Sequence, residues 1–216
     1  MIWADIRQKT EKSRNSDVFS VRMNLQVSKK NEIEIIESLN IKTSIDLRGN
    51  ELSEKEQSYF QNKNGVQYHQ VPINTDDMHN VKDQNLGNFY WELMQNKELF
   101  CHIMQIIAHS SGNVHFNCLA GKDRTGIVAM ILLANCDVSN DDILADYEIT
   151  FTYLYEKWKK LIKSHTEIPL FMFKSDREFI SKTIDLVNEN CGNIHEYLKF
   201  IGLSENEIMM LKNKLL

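Results

Sequence analysis

Hydrophobic positions along this chain change period repeatedly, and each change marks an expected element. From Ser28 to Leu39 (SKKNEIEIIESL) apolar residues recur at helical spacing, with Ile33, Ile36 and Leu39 on one face and Ser28 as a candidate N-cap. The period then drops to two. In IKTSIDL, Ile41, Thr43, Ile45 and Leu47 alternate with Lys42, Ser44 and Asp46, which predicts a strand. A second strand is expected over VQYHQVPI, Val66 to Ile73, with Pro72 marking its end. Helical spacing returns from Leu86 to His109 and predicts two helices that break near Asn96.

The stretch VHFNCLAGKDRTGIVAMILL, residues 114 to 133, combines both periods. Val114 and Phe116 sit two apart, as on a short strand, whereas the run from Gly126 to Ala134 is apolar all round and suits a buried helix. Cys118 therefore falls where a strand ends and a loop leads into a helix N-terminus. Beyond it the pattern is helical. Ser139-Asn140-Asp141-Asp142 opens a helix expected to run through Ile149, and Ser175-Asp176-Arg177-Glu178 opens another that Gly192 can end. Asn193 to Glu196 and Ser204 to Glu207 open two short terminal helices. Early strands separated by helices, with helices dominating later, predict one α/β domain over residues 1–216. Its sheet is expected to be small, mostly parallel and flanked by helices, with a helical C-terminal half.

Composition narrows the function classes. At 42 % hydrophobic, the 216 residues suffice for a substantial core, and a net charge of −5 supplies no global basic field for nucleic acid. The opening MIWADIRQKTEKSRNSD lacks the apolar core of a secretory signal, and no segment approaches the ~20 apolar residues of a membrane span. The four cysteines, Cys101, Cys118, Cys136 and Cys191, contain no CxxC pair, and no histidines stand at metal-ligand spacing. The expectation is a cytoplasmic protein, or one exported without a signal peptide, acting without metal or cofactor.

In that setting the loop Cys118-Leu119-Ala120-Gly121-Lys122-Asp123-Arg124-Thr125 has a specific chemistry. A free cysteine titrates near ~8.5, while one at a helix N-terminus beside an arginine can fall to ~3.5–7.5. The helix after the loop aims unpaired N–H groups and the positive end of its dipole back at the loop. Gly121 permits a tight curl, and backbone N–H groups from Leu119 to Arg124 can ring a tetrahedral anion. Arg124 can grip two of its oxygens as a bidentate fork. This is phosphatase chemistry. A nucleotide-binding P-loop is excluded, because Phe116 occupies its first glycine position and Asp123 follows Lys122. Cys101 and Cys136 read as small apolar residues in helical contexts, and Cys191 as a helix-end residue.

These residues carry a resemblance. Cys118 to Thr125 match C-x5-R-[ST], and the fuller GKDRTG resembles the bacterial tyrosine phosphatase family that includes triple-specificity enzymes. Ile45-Asp46-Leu47-Arg48, Leu144-Ala145-Asp146-Tyr147, Gly192 to Leu198 and Ile201 to Ser204 are similar to other segments of that family. The resemblance implies Cys118 as nucleophile, Arg124 as phosphate clamp and Thr125 as the hydroxyl that helps the thiolate leave. It implies Lys122 as positive charge for anionic substrates and Asp123 as a loop acid. The implied substrates are phosphotyrosine, phosphoserine or phosphothreonine proteins and phosphoinositides. The chain departs from the family at Asn117, where histidine is usual, at Arg7-Gln8 in place of two glycines, and in Val18 to Met23. Those departures motivate a second reading, a catalytically weak phosphate-binding pseudophosphatase. A third, sulfur transfer, is disfavoured by Thr125 and the loop length.

Dephosphorylation also needs a proton donor for the leaving group. NTDDMHNVKD, residues 74 to 83, offers Asp76, Asp77 and Asp83 as candidates. Asp123 is either the donor or a brace acting through backbone N–H groups or Arg48, and Asp46 reads as a structural partner of basic residues. His69 and His115 read as packing residues in strands, and His79 lies near the acid loop. Phe151, Tyr153, Tyr155 and Trp158 read as helix packing, and Phe171-Met172-Phe173 as a candidate pocket rim.

Overall fold

In a computed structural model, residues 30–82, 85–164 and 168–215 are described. The expected Ser28 cap, the departures at Arg7-Gln8 and Val18 to Met23, and the candidate acid Asp83 lie outside those residues. The elements run α1 (Lys30–Ser38), β1 (Ile41–Asp46), α2 (Asn50–Lys55), β2 (Gln67–Gln70), α3 (Leu86–Met94), α4 (Lys97–His109), β3 (Asn113–Asn117), α5 (Asp123–Asn135), α6 (Asn140–Ser164), α7 (Arg177–Cys191), α8 (Ile194–Phe200) and α9 (Glu205–Leu215). Short 3-10 helices occupy Asp76–Asn80 and Leu170–Phe173.

The three strands pair in parallel in the order β2-β1-β3, giving the expected α/β class with a small parallel sheet. β1 is central, so both of its faces are covered. The strand expected from its alternation forms, and Ser44 and Asp46 are as buried as Ile45 and Leu47. Parallel sheets are usually sandwiched in this way. Register sets two different faces. Tyr68, Ser44 and His115 lie abreast, as do Gln70, Asp46 and Asn117, and between these rows His69, Ile45 and Phe116 point the other way.

The apolar face joins the main core, where Ile45, Leu47, Val114 and Phe116 meet α3, α4, α5 and the C-terminal helices. The polar face is buried, and several of its side chains pair with one another. Ser44 Oγ and His115 Nδ1 are 2.8 Å apart, and the imidazole lies 4.7 Å from the Phe60 ring. At the carboxyl end of β1, Asp46 takes the Arg48 guanidinium through contacts of 2.9 Å and 2.6 Å, and Tyr68 donates to the same carboxylate at 2.9 Å. Asp46 is thus the structural partner expected of it.

Asn96 caps α4 by accepting from the Leu99 N–H, which explains the break predicted there. Ser139 and Asp142 cap α6 reciprocally, at 3.2 Å and 2.6 Å. α6 does not stop at Ile149, however. It continues to Ser164 because Leu154 and Trp158 renew an apolar stripe that packs on Phe173. The expected packing cluster on this helix is also only partly buried, since Trp158 is inside while Phe151, Tyr153 and Tyr155 are exposed.

Both members of the Asp46–Arg48 pair are 0 % exposed, so removing one charge strands the other in the interior. Asp46→Asn should therefore lower unfolding free energy by about 3–5 kcal/mol, read from urea denaturation midpoints at constant m-value. A loss below about 1 kcal/mol would show that the pair does not lock the sheet end.

Candidate active site

The loop from Cys118 to Lys122 leaves β3 at the carboxyl edge of the sheet, where sites in open α/β folds form. Leu47 N–H still bonds the Asn117 carbonyl at 2.8 Å, so the strand is held up to the residue before the cysteine. Gly121 has φ of +70°, a conformation strained for any other residue, and this turns the chain back toward the thiol. Its N–H then lies 3.2 Å from Cys118 Sγ. The first bond of α5, Gly126 N–H to the Lys122 carbonyl at 2.8 Å, closes directly behind. Gly126 is needed for a separate reason: a Cβ there would meet the Tyr147 ring at 3.0 Å.

α5 is buried on nearly all sides, from Thr125 to Leu133 and again at Asn135. That burial fixes where its amide-rich end points. Cys118 is itself buried, and Leu119 is the exposed apolar residue of the loop. Cys101, Cys136 and Cys191 are half-buried and lie outside this loop, at α4, after α5 and at the end of α7.

Arg124 Nη1 donates to the carbonyls of Leu47 at 3.2 Å and Ile73 at 3.5 Å. The guanidinium is thereby pinned across the ends of β1 and the β2 extension. Thr125 Oγ1 and Asn117 Oδ1 are buried without a hydrogen-bond partner. Buried polar atoms of that kind are costly unless something satisfies them. Asn117 Nδ2 reaches only the Cys118 carbonyl, at 3.4 Å.

Lys122 differs from its expected role. Its ammonium is buried and donates to the Met172 carbonyl at 3.1 Å and the Lys174 carbonyl at 2.8 Å. The charge ties the loop to the 3-10 segment, while the Lys122 backbone serves the loop. Phe171 and Phe173 of that segment are buried and Leu170 is exposed, so the expected rim is mainly a support.

Asp123 is not braced through Arg48, which Asp46 occupies. Its Oδ1 accepts a short hydrogen bond from Tyr90 and lies 3.1 Å from Lys122 Nζ, and the Tyr90 hydroxyl is 2.8 Å from that of Tyr147. Burial, reinforced by the Asp123 charge, pushes the Tyr90 phenol well above its ordinary value and keeps it a donor. Sequence reasoning missed Tyr90, because nothing in α3 distinguishes it from a packing residue. Asp76 and Asp77 are exposed in the 3-10 helix that begins three residues after the Ile73 carbonyl. No cluster of residues able to hold a metal occurs among the described residues. No helix among them is long and apolar enough to cross a membrane.

The family model described as the tyrosine phosphatase family matches residues 8–216. A tyrosine-protein phosphatase of Nostoc commune is 28 % identical over 197 residues, covering 82 % of this chain and 67 % of that protein. A shorter match, 47 % identical over 51 residues, covers 24 % of this chain and 18 % of a Cupriavidus necator protein also named for tyrosine-protein phosphatases. Among solved structures, P. aeruginosa TpbA aligns over 87 % of this chain and 88 % of its own, with a TM-score of 0.40 and 11 % identity. The extent of the family match decides the assignment: the chain belongs to the tyrosine phosphatase family and is a phosphoric monoester hydrolase of that kind.

Proposed function

We propose that this chain is a cysteine-dependent phosphatase that cleaves phosphomonoesters, phosphotyrosine foremost, through a phosphocysteine intermediate, with residues 1–216 acting as one domain. The observation that carries this reading is the cup at the foot of α5, where the Gly121 N–H faces Cys118 Sγ at 3.2 Å. Arg124 stands beside the strand ends, and the buried Thr125 hydroxyl lacks a partner. A bound phosphate satisfies the loop amides from Leu119 to Arg124, while the open edge of Arg124 takes two of its oxygens.

In the first step the Cys118 thiolate attacks phosphorus in line, forming the S–P bond as the ester P–O bond breaks. The leaving oxygen receives a proton from a carboxylic acid. In the second step the carboxylate left by the first takes a proton from water as the water oxygen attacks phosphorus, the S–P bond breaks, and the thiolate departs toward the Thr125 hydroxyl with inorganic phosphate as product. The loop amides and Arg124 carry the charge in both transition states.

The Tyr90 hydroxyl and the Lys122 ammonium both hold Oδ1 of Asp123, so its role in this reading is to brace the loop. The acid is sought among Asp76 and Asp77, both exposed after β2, and Asp83, which follows them in the sequence. The GKDRTG loop also supports reading the chain with the triple-specificity branch, which extends the substrates to phosphoserine, phosphothreonine and phosphoinositides, in the cytoplasm. A phosphate-binding pseudophosphatase is the second reading, favoured by Asn117, whose Oδ1 has no partner and whose amide makes only a long contact with the loop.

Para-nitrophenyl phosphate hydrolysis separates the two readings. Cys118→Ser should reduce release to background, and Arg124→Lys should lower kcat/KM by about 100-fold or more because a point charge replaces the fork. Phosphate binding without cysteine-dependent turnover selects the pseudophosphatase instead. For the acid, Asp76→Asn, Asp77→Asn and Asp83→Asn are to be compared on aryl and alkyl phosphates. One of them should lose about 100-fold more rate on the alkyl ester, whereas Asp123→Asn should lose both equally. Tyr90→Phe should lower stability by about 1–3 kcal/mol and weaken competitive inhibition by inorganic phosphate. Unchanged melting and unchanged inhibition would remove Tyr90 from the support of the loop.

A further inference from the structure

Among the described residues, the outer half of α6 carries a partly exposed aromatic stripe beside the phosphate loop. Its inner face is closed by Leu154 and Trp158, which pack with Phe173 and with Ala120 of the loop itself. Phe151, Tyr155 and Lys159 recur at every fourth residue, so they form one line along the edge of that buried face. Phe151 and Tyr155 are 37 % and 47 % exposed, and Leu119, next to Ala120 in the loop, is 38 % exposed.

The rings are in register. The Phe151 centroid lies 5.9 Å from Tyr155 and 6.0 Å from Trp158, and Trp158 lies 6.1 Å from Phe173. Lys159 Nζ stands 5.8 Å from the Tyr155 centroid. At the inner end, the Lys122 ammonium is 6.0 Å from the Trp158 ring. An aromatic row thus runs from the surface to a residue of the phosphate loop. It ends outward in Lys159, whose Nζ is 4.0 Å from Glu156 Oε1, with Lys160 next to it and Lys163 one turn further, both exposed. These lysines form a local positive patch on a chain of net charge −5.

We infer that this seam binds the chain flanking the phosphorylated residue of a protein substrate, with an apolar side chain against Leu119, Phe151 and Tyr155 and an acidic one toward Lys159. The inference rests on the phosphatase reading and deepens it by naming the kind of substrate segment. Charge complementarity selects the acidic flank, since Lys159, Lys160 and Lys163 are exposed at the outer end of the row. A lipid surface fits less well. Tyr153, the exposed aromatic of α6 outside the row, stands apart from the paired aromatics at the seam, so no broad apolar face is offered to a bilayer. The net negative charge also opposes approach to anionic lipid.

The test uses phosphotyrosine peptides with a common core and three flanks: leucine with aspartates, leucine with lysines, and serine with glycine, placed on either side of the phosphotyrosine. Turnover is measured beside para-nitrophenyl phosphate, and affinity is measured with the Cys118→Ser variant. The leucine–aspartate peptides should lead by about five- to tenfold in kcat/KM, mainly through KM. Phe151→Ala and Tyr155→Ala should erase the leucine preference. Lys159→Glu should move the preference toward the lysine flank by about threefold or more, with para-nitrophenyl phosphate turnover unchanged. Equal values for all flanks, or a charge reversal that leaves the ranking untouched, overturns the inference while leaving the phosphatase reading intact. If the parent chain turns over neither substrate, the phosphatase reading fails, and the affinity ranking in Cys118→Ser still decides the docking. Sedimentation with phosphatidylserine vesicles that Lys159→Glu abolishes, with no peptide preference, assigns the seam to lipid and overturns the inference.

Discussion

The burial of α5 is the constraint on which the rest depends. A helix apolar on every side has to be enclosed, and here it is enclosed by α6, the sheet and the C-terminal helices. Enclosure fixes its axis, and the axis aims its first free N–H groups at the end of β3. The loop between them is too short to wander. Gly121 completes its return with a positive φ, and Gly126 lets the Tyr147 ring close over the helix start. The thiol of Cys118 therefore meets a backbone donor as a consequence of packing, which is how an anion site becomes preorganised before any ligand arrives.

Buried charges secure the edges of this arrangement. Asp46 and Arg48 lock the end of β1, and the carbonyl of Leu47, which lies between them, helps to hold Arg124. Lys122 and Asp123, neighbours in sequence, point to different partners. The lysine fastens the loop to the segment before α7, and the aspartate fastens it to Tyr90 of α3. Each such group would be costly alone in the interior, so the network is specific as well as stabilising. It also explains why residues next to the phosphate cup can be charged without facing a substrate.

The family resemblance and the fold support the same chemistry by different routes. A sequence motif specifies which atoms are available, and the geometry specifies which are already engaged. Arg124 Nη1 is engaged with strand carbonyls, leaving the remainder of the guanidinium for a ligand. Lys122 Nζ is engaged entirely within the protein. In the proposed function the distinction narrows the positive charge offered at the loop to Arg124 and the backbone, and shifts attention to α6 for contacts beyond the phosphate.

What the chain determines locally was legible in its order of residues. The strand spacing of Ile41 to Leu47, the break at Asn96, the Ser139–Asp142 cap, the stop at Gly192 and the cysteine-to-arginine loop all depend on contacts within a few residues. Short-range sterics and hydrogen bonding decide those features, so spacing reveals them. Only the tertiary structure decided the burial of Ser44 and Asp46, which depends on β1 lying between two strands. The length of α6 likewise depends on Phe173 arriving from outside the helix. Tyr90 becomes part of the site because α3 packs where Asp123 emerges, and Lys122 turns inward because two carbonyls fifty residues later are waiting for it. Such partners are distant along the chain, and a linear pattern carries no record of which distant groups will meet.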